Sequence, residues 1–379
     1  MLKIGIVGCG KIADDHAAAI QRVKLGRIVA VCDREELMAR QLAERFPVER
    51  AFSDLNAMLQ EARPEVVHVT TPPQSHFPIA KQCLECGCHV YVEKPFTLNL
   101  YEAKELVRLA ESRGLKLTAG HDDQFSHVAR RLRALVHAGY LGGSPLHMES
   151  YYCYDLGHGS YAKALLADKQ HWVRRLPGQL LHNIISHGVA RIAEYLLGED
   201  MQVVARGFVS PRLRSVGEQE LIDELRVTIV EAQRTTAYFT FSSQMRPSLH
   251  EFRVYGARNG LVLDQDKQTL LRLRGQKYLS YAEHFIPPFQ FARQYVGNWA
   301  RNVNLFLHRD FHMKSGMSYL IEQFYRSIQE GQPPPIPYRE ILLTAKIMDS
   351  IFEQLNQQRA HRCPVEPPSI TLPAPTPTP

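Results

Sequence analysis

The sequence predicts a two-domain α/β protein. A doubly wound parallel sheet fills residues 1–121, and an α+β domain with a mostly antiparallel sheet follows over 122–358. Three observations carry this. Short β-branched runs alternate with helical stretches up to about Gly120, a glycine-rich turn closes the first run and opens a helix, and strand-like alternation takes over beyond Gly120. With 379 residues, 45% hydrophobic and 22% charged, the chain can bury a sizeable core in each domain, and its composition excludes disorder of the whole.

The first-domain strands are expected at Lys3–Val7, Ile28–Cys32, Val66–Val69, His89–Val92 and Lys116–Ala119, each near-continuously apolar as a strand covered on both faces must be. In the second domain Glu224–Glu231, Arg234–Phe241, His250–Tyr255 and Thr269–Leu273 read as strands. Gly331–Pro337, with four prolines, separates helices at Met317–Gln329 and Arg339–Gln357, the last expected to pack back on a domain. The Pro/Thr-rich tail, 364–379, has almost nothing to bury and is expected to be disordered.

Lys plus Arg exceed Asp plus Glu by 45 to 39, and this small surplus is spread along the chain. Arg130-Arg131-Leu132-Arg133 and Arg212-Leu213-Arg214 are too short to track a phosphate backbone, so no nucleic-acid partner is expected. Seven cysteines, odd and sparse, suit a reducing, cytoplasmic compartment without structural disulfides. Met1-Leu2-Lys3 runs straight into the first strand where a signal peptide would need an apolar region, and no run of 18 apolar residues occurs, so neither leader nor membrane span is expected.

Gly8-Cys9-Gly10-Lys11-Ile12-Ala13 is a GxGxxA pattern between a strand and a helix. Gly8 permits the tight turn, Gly10 lets a pyrophosphate approach the helix N-terminus, and Ala13 allows close helix-to-strand packing. Asp33 closes the second strand 23 positions after Gly10, where a carboxylate accepts hydrogen bonds from an adenosine ribose. That carboxylate repels a 2′-phosphate, favouring NAD over NADP, although adjacent Arg34 could pair with such a phosphate.

Two further segments complete a pattern. Thr70-Thr71-Pro72-Pro73-Gln74-Ser75-His76 and Gly87-Cys88-His89-Val90-Tyr91-Val92-Glu93-Lys94-Pro95, with the fingerprint, resemble the Gfo/Idh/MocA oxidoreductases, the glucose-fructose oxidoreductase and inositol dehydrogenase group. The likeness runs from Met1 to about Gln357 and is strongest over the first 120 residues. It implies cofactor contacts from Gly8, Gly10, Lys11, Ile12, Asp33 and Arg34, and from Thr71, Pro72, His76, Glu93 and Lys94 in the later motifs. It also implies a cis peptide before Pro95, Lys94 as general acid or base for a sugar or polyol hydroxyl, and a homo-oligomer built on the second sheet.

The segment Leu176-Pro177-Gly178-Gln179-Leu180-Leu181-His182-Asn183-Ile184-Ile185-Ser186-His187 resembles the family's glycine-rich turn and helical DxxxH, with Asn183 in place of the aspartate. A spacing of four puts Asn183 and His187 on one helical face. His187 is thereby expected to relay a proton or orient Lys94, and Asn183 to orient; taken alone, His187 would be a satisfied core histidine. In Gly120-His121-Asp122-Asp123-Gln124-Phe125, many relatives carry arginine where Gln124 stands, which weakens an anionic substrate there. Asp122 and Asp123 line a polyol site or are solvated loop carboxylates.

Cys83, Cys86, Cys88 and His89 cluster, but they straddle a helix end and a strand start with no second ligand pair, so no metal is expected. His182 and His187, five apart, do not share a face. Within an insertion at about 285–315, Ala292, Tyr295, Val296, Trp299, Val303, Phe306 and Leu307 recur at helical spacing with Arg293, Arg301 and Arg309 between or beyond them. This suits a helix packed on its own sheet or on a subunit partner and, less readily, a basic amphipathic helix on a membrane surface. The expected activity is NAD(P)-dependent hydride transfer to or from a secondary hydroxyl of a sugar or polyol. A redox-assisted glycosidase and a non-catalytic NAD sensor are the alternatives.

Overall fold

The computed structural model describes residues 1–155, 165–166, 168–232, 235–311 and 314–360; the tail beyond Pro364 lies outside them. The first domain runs β1 (Leu2–Val7), α1 (Lys11–Val23), β2 (Gly26–Cys32), α2 (Glu36–Arg45), β3 (Arg50–Phe52), α3 (Leu55–Glu61), β4 (Val66–Val69), α4 (His76–Glu85), β5 (His89–Val92), α5 (Leu100–Ser112) and β6 (Leu117–Ala119). Its six strands are all parallel, in the order β3-β2-β1-β4-β5-β6. The order reverses between β1 and β4, and the carboxyl ends of those strands open a crevice for a ligand. Short β3, an edge strand with one buried residue, escapes the sequence pattern.

The second domain comprises α6 (His127–His137), β7 (His147–Cys153), α7 (Gln179–Ile184), α8 (Ser186–Tyr195), β8 (Met201–Phe208), α9 (Pro211–Ser215), β9 (Glu224–Glu231), β10 (Thr235–Ser242), β11 (Leu249–Tyr255), β12 (Asn259–Asp264) and β13 (Thr269–Arg274), then α10 (Ala282–Leu307), α11 (Ser315–Gln329) and α12 (Tyr338–Ala360). Seven strands order as β13-β12-β11-β7-β10-β9-β8, all antiparallel except the β7–β10 pair. Strands β7, β8 and β12 add to the four expected. The first two alternate imperfectly because Tyr152 of β7 borders a cleft and β8 is an edge.

Both edges of this sheet are closed by side-chain amides. On β13, Gln294 accepts from the Arg272 N–H (2.7 Å) and donates to its carbonyl (3.2 Å), Asn298 does the same to Leu270 (3.2 and 3.0 Å), and Asn302 donates to Lys267 O (2.9 Å). On β8, Gln354 and Gln358 of α12 accept from the Ala205 and Gly207 N–H groups and donate to the Val203 and Ala205 carbonyls. Spaced four apart, these amides line one helical face and satisfy groups that a neighbouring strand would otherwise take.

The chain then returns to the first domain. Met317, Leu320, Ile321, Phe324 and Tyr325 of α11 complete its core, so the segment expected wholly within 122–358 serves both domains. Helix α12 packs against α5, α8 and β8, as a helix packing back on the body should.

Candidate active site

At the crevice Gly8 has φ +95°, and a Cβ there would lie 2.7 Å from Thr71, so only glycine fits the turn. A Cβ on Gly10 would meet nothing within 4 Å, leaving open space above the N-terminus of α1, a position able to take a pyrophosphate. Asp33 is fixed by the loops it joins: its Oδ2 accepts from the Cys9 N–H (2.7 Å) and Oδ1 from the Glu35 N–H (3.0 Å). Lys11 and Arg34 are exposed beside it, and Ile12 and Thr71 are half-buried. These residues fit a dinucleotide.

His76 is fully buried, its ring nitrogens 2.9 Å from Pro95 O and 2.7 Å from Thr71 O. It clamps the TPPxxH loop, Pro72 included, to the loop after β5. There the Lys94–Pro95 peptide is cis.

Glu93 and Lys94 leave β5 in opposite directions. Glu93 turns inward, accepting from the Lys94 N–H (3.1 Å) and from His16 Nε2 (2.9 Å). His16 Nδ1 lies 2.8 Å from His68 Nδ1, and His68 Nε2 lies 2.8 Å from the Tyr325 hydroxyl. One proton arrangement satisfies every member with neutral rings: Tyr325 donates to His68, His68 to His16, and His16 to Glu93. Burial alone would raise the Glu93 carboxyl, but the His16 bond, with Lys94, brings it down to about 2. No spacing rule finds a chain spread over 257 positions, although a histidine inside the apolar run Val66-Val67-His68-Val69 is a visible signal.

Lys94 instead crosses to the second domain, where Nζ donates to the main-chain carbonyl of Asn183 (3.3 Å). The expected helix is divided at Ile185 into α7 and α8, yet Ile185 N–H still reaches Leu181 O (2.9 Å) and the helical spacing persists. His187, on the first turn of α8, is buried with Nδ1 3.9 Å from Asp122 Oδ1 and 3.9 Å from Asp123 Oδ2. At that separation there is no hydrogen bond.

Burial holds the His187 imidazole down to about 4 and, with His187 beside it, His121 down to about 3, so both are neutral at pH 7. Burial, then Asp123 and Glu93, push the Asp122 carboxyl up to about 8. Asp123 stays below the ordinary range despite burial because His187 and Arg191 face it. Both carboxylates are half-buried and border a cleft.

Several polar groups around this cleft have no hydrogen-bond partner: His187 Nδ1, both ring nitrogens of His121, and all three guanidinium nitrogens of buried Arg191, one of them 3.6 Å from Asp123 Oδ2. His121, Tyr152 and Arg191 were not singled out from sequence; Arg191 follows His187 by four on α8 and shares its face. The cleft, about 430 Å³, is bordered by Asp122, Asp123, Tyr152, His250, Gln265 and Phe311. Gln124 is buried and donates to Glu194 (3.0 Å), tying its loop to α8 rather than facing the cleft. Asp122, Asp123 and His187 offer ligand atoms within 4.8 Å of one another, the one such group among the described residues. Cys83 and Cys88 are buried and unpaired, and His89 accepts from the Lys116 N–H.

A doubly wound sheet with this turn, joined to a second domain that a lysine reaches, is the architecture of a dinucleotide-binding domain followed by a second domain. Residues 2–121 match the family described as "Oxidoreductase family, NAD-binding Rossmann fold" (GFO_IDH_MocA). The first domain is thus similar to the NAD-binding domain of that family, and the match covers 120 of the 379 residues. The chain is 34% identical over 142 residues to D-glucoside 3-dehydrogenase of Escherichia coli, 37% of this chain and 40% of that protein. It is 30% identical over 149 residues to UDP-N-acetylglucosamine 3-dehydrogenase of Acidithiobacillus ferrooxidans, 39% of this chain and 44% of that protein. The matched part thus spans about two-fifths of these curated relatives. Levoglucosan dehydrogenase in complex with NADH and levoglucosan superposes with a TM-score of 0.75 at 16% identity, over 94% of this chain and 97% of that one, which shows a shared fold. Among the described residues no helix is long and apolar enough to cross a membrane.

Proposed function

We propose that the chain catalyses reversible hydride transfer between NAD and a secondary hydroxyl of a sugar, polyol or sugar derivative, in the cleft between Lys94 and His187. The observation that carries this is the reach of Lys94 Nζ across to Asn183 O at 3.3 Å, which sets a first-domain amine beside second-domain groups that lack partners. Gly8, Gly10, Lys11 and Ile12 form the pyrophosphate turn, and Asp33 takes the ribose and disfavours a 2′-phosphate. Thr71, Pro72, Glu93 and Lys94 border the nicotinamide end, with His76 fixing their loops. Bound NAD⁺ supplies the hydride acceptor. Lys94 takes the hydroxyl proton in oxidation and returns it in reduction, while neutral His187 hydrogen-bonds the same oxygen. Asn183 contributes its carbonyl to hold Lys94, and ionised Glu93 anchors the lysine main chain.

The exposed face of the second sheet, with Val204, Phe208 and Tyr238, is the surface on which copies would associate. The test of the activity is Lys94→Ala, expected to cut turnover about 10³-fold or more while NADH binding, followed by fluorescence, changes less than about twofold. Retained turnover would sink the assignment.

One observation favours a second activity at the same site. Asp122, protonated near neutral pH, is an acid able to protonate a leaving glycosidic oxygen, as a redox-assisted glycosidase needs. Aglycone release from a glycoside without net NADH formation would identify it.

A further inference from the structure

Helices α10 and α12 grip opposite edges of one sheet by the same amide ladder, yet their other faces differ. Those of α12 bury Ile341, Leu343, Ile347, Met348, Ile351 and Phe352 in the two cores. On α10 the polar ladder faces the protein and only Asn298 is buried, so its apolar side points to solvent. Phe289 is 65% exposed, Val296 65%, Trp299 66% and Phe306 67%. The sequence expectation that this stripe packs on its own sheet is reversed: the amides do that work, because the edge strand offers N–H and C=O groups rather than an apolar surface.

Residues 285, 289, 292, 296, 299, 303 and 306 lie on one side, five of the apolar residues on or flanking this stripe are aromatic (Phe285, Phe289, Tyr295, Trp299, Phe306), and Tyr295 and Leu307 widen the stripe beyond a two-helix seam. Such width, with Trp299 within it and Tyr295 at its border, suits a helix lying in the plane of a bilayer interface.

Charge decides the occupant. Between β13 and α10 runs a groove of about 480 Å³ whose border includes Arg131, Arg272, Arg274, Arg293 and Arg301 and no carboxylate. A second copy seated on the apolar stripe would leave these flanking arginines without a counter-charge, whereas anionic headgroups neutralise them. The chain leaving α10 also reaches the cleft directly, at Phe311. We propose that α10 and its arginine groove dock the protein on an anionic lipid bilayer, the apolar face in the interface and the arginines on headgroup phosphates.

The test is co-sedimentation of the full chain with phosphatidylcholine vesicles, with and without phosphatidylglycerol. Binding is expected to the anionic vesicles, to weaken with salt, and to be lost at least about tenfold in the double variant Phe289→Asp/Phe306→Asp at unchanged melting temperature. Arg272→Gln/Arg293→Gln should weaken binding and flatten its salt dependence. In Trp172→Phe, where Trp299 is the remaining indole, fluorescence should shift to the blue on vesicle addition. Wild-type protein left in the supernatant with anionic vesicles would overturn the proposal. So would a wild-type dimer in sedimentation velocity that Phe306→Asp dissolves, since that assigns the face to a second copy.

Discussion

Lys94 stands between two buried polar regions that are built oppositely. On the first-domain side, Glu93, His16, His68 and Tyr325 close on one another, each hydrogen bond at 2.8–2.9 Å. On the second-domain side His187, His121 and Arg191 are as deeply buried but leave donors and acceptors unmade. A closed network fixes geometry, and an open one holds capacity for a ligand's hydroxyls. The loop bearing the lysine is thus held from behind, while the groups in front keep unused hydrogen-bonding capacity.

This contrast can be broken by experiment. The largest effect should come from the open side: His187→Ala is expected to lower kcat/KM about 10³-fold with little change in melting temperature. Equal losses of stability and activity would mean that His187 is merely structural.

On the closed side the effect is on folding. Glu93 has a folded pKa of about 2 against an ordinary 4.5, so it stabilises the fold above pH 4.5 and loses that contribution as pH falls toward 2. The shift corresponds to about 3 kcal/mol, to be read from denaturant unfolding against pH in wild type and Glu93→Gln. Asp122 carries the opposite sign. Its pKa is raised from 3.8 to about 8, so its contribution falls as pH rises across that window, and Asp122→Asn should abolish the decline.

Smaller effects separate the two glycines. Gly10→Ala should fold normally, since a Cβ there meets nothing, and weaken NADH binding about tenfold; Gly8→Ala should lose stability as well, through contact with Thr71. The smallest is Arg34→Ala, where a side chain 91% exposed should alter NADH affinity less than about twofold. A large loss would give Arg34 a direct role at the ribose.

The two regions also differ in what could be read from sequence. Strands β4 and β5 are visible to the residue because a strand covered on both faces must be continuously apolar and glycine must open the turn. Strand β7 is not, because Glu149 and Tyr151 on one face are half-buried and Tyr152 on the other borders the cleft, so neither face is cleanly apolar. At the site, Lys94, Asn183 and His187 are marked by short motifs. His121 and Arg191 are brought there only by the packing of α8 against the loop after β6, and Asn183 meets Lys94 through its main-chain carbonyl, which no residue type announces.

The amide ladders have a consequence for polymerisation. A sheet whose outermost strands both spend their hydrogen bonds on helices offers no template at either end, so strands of another molecule cannot extend it. Association of copies through this sheet is left to its faces. It follows that excising α10 would uncover β13 and invite fibrous aggregation, so the helix must be altered by single side chains rather than removed.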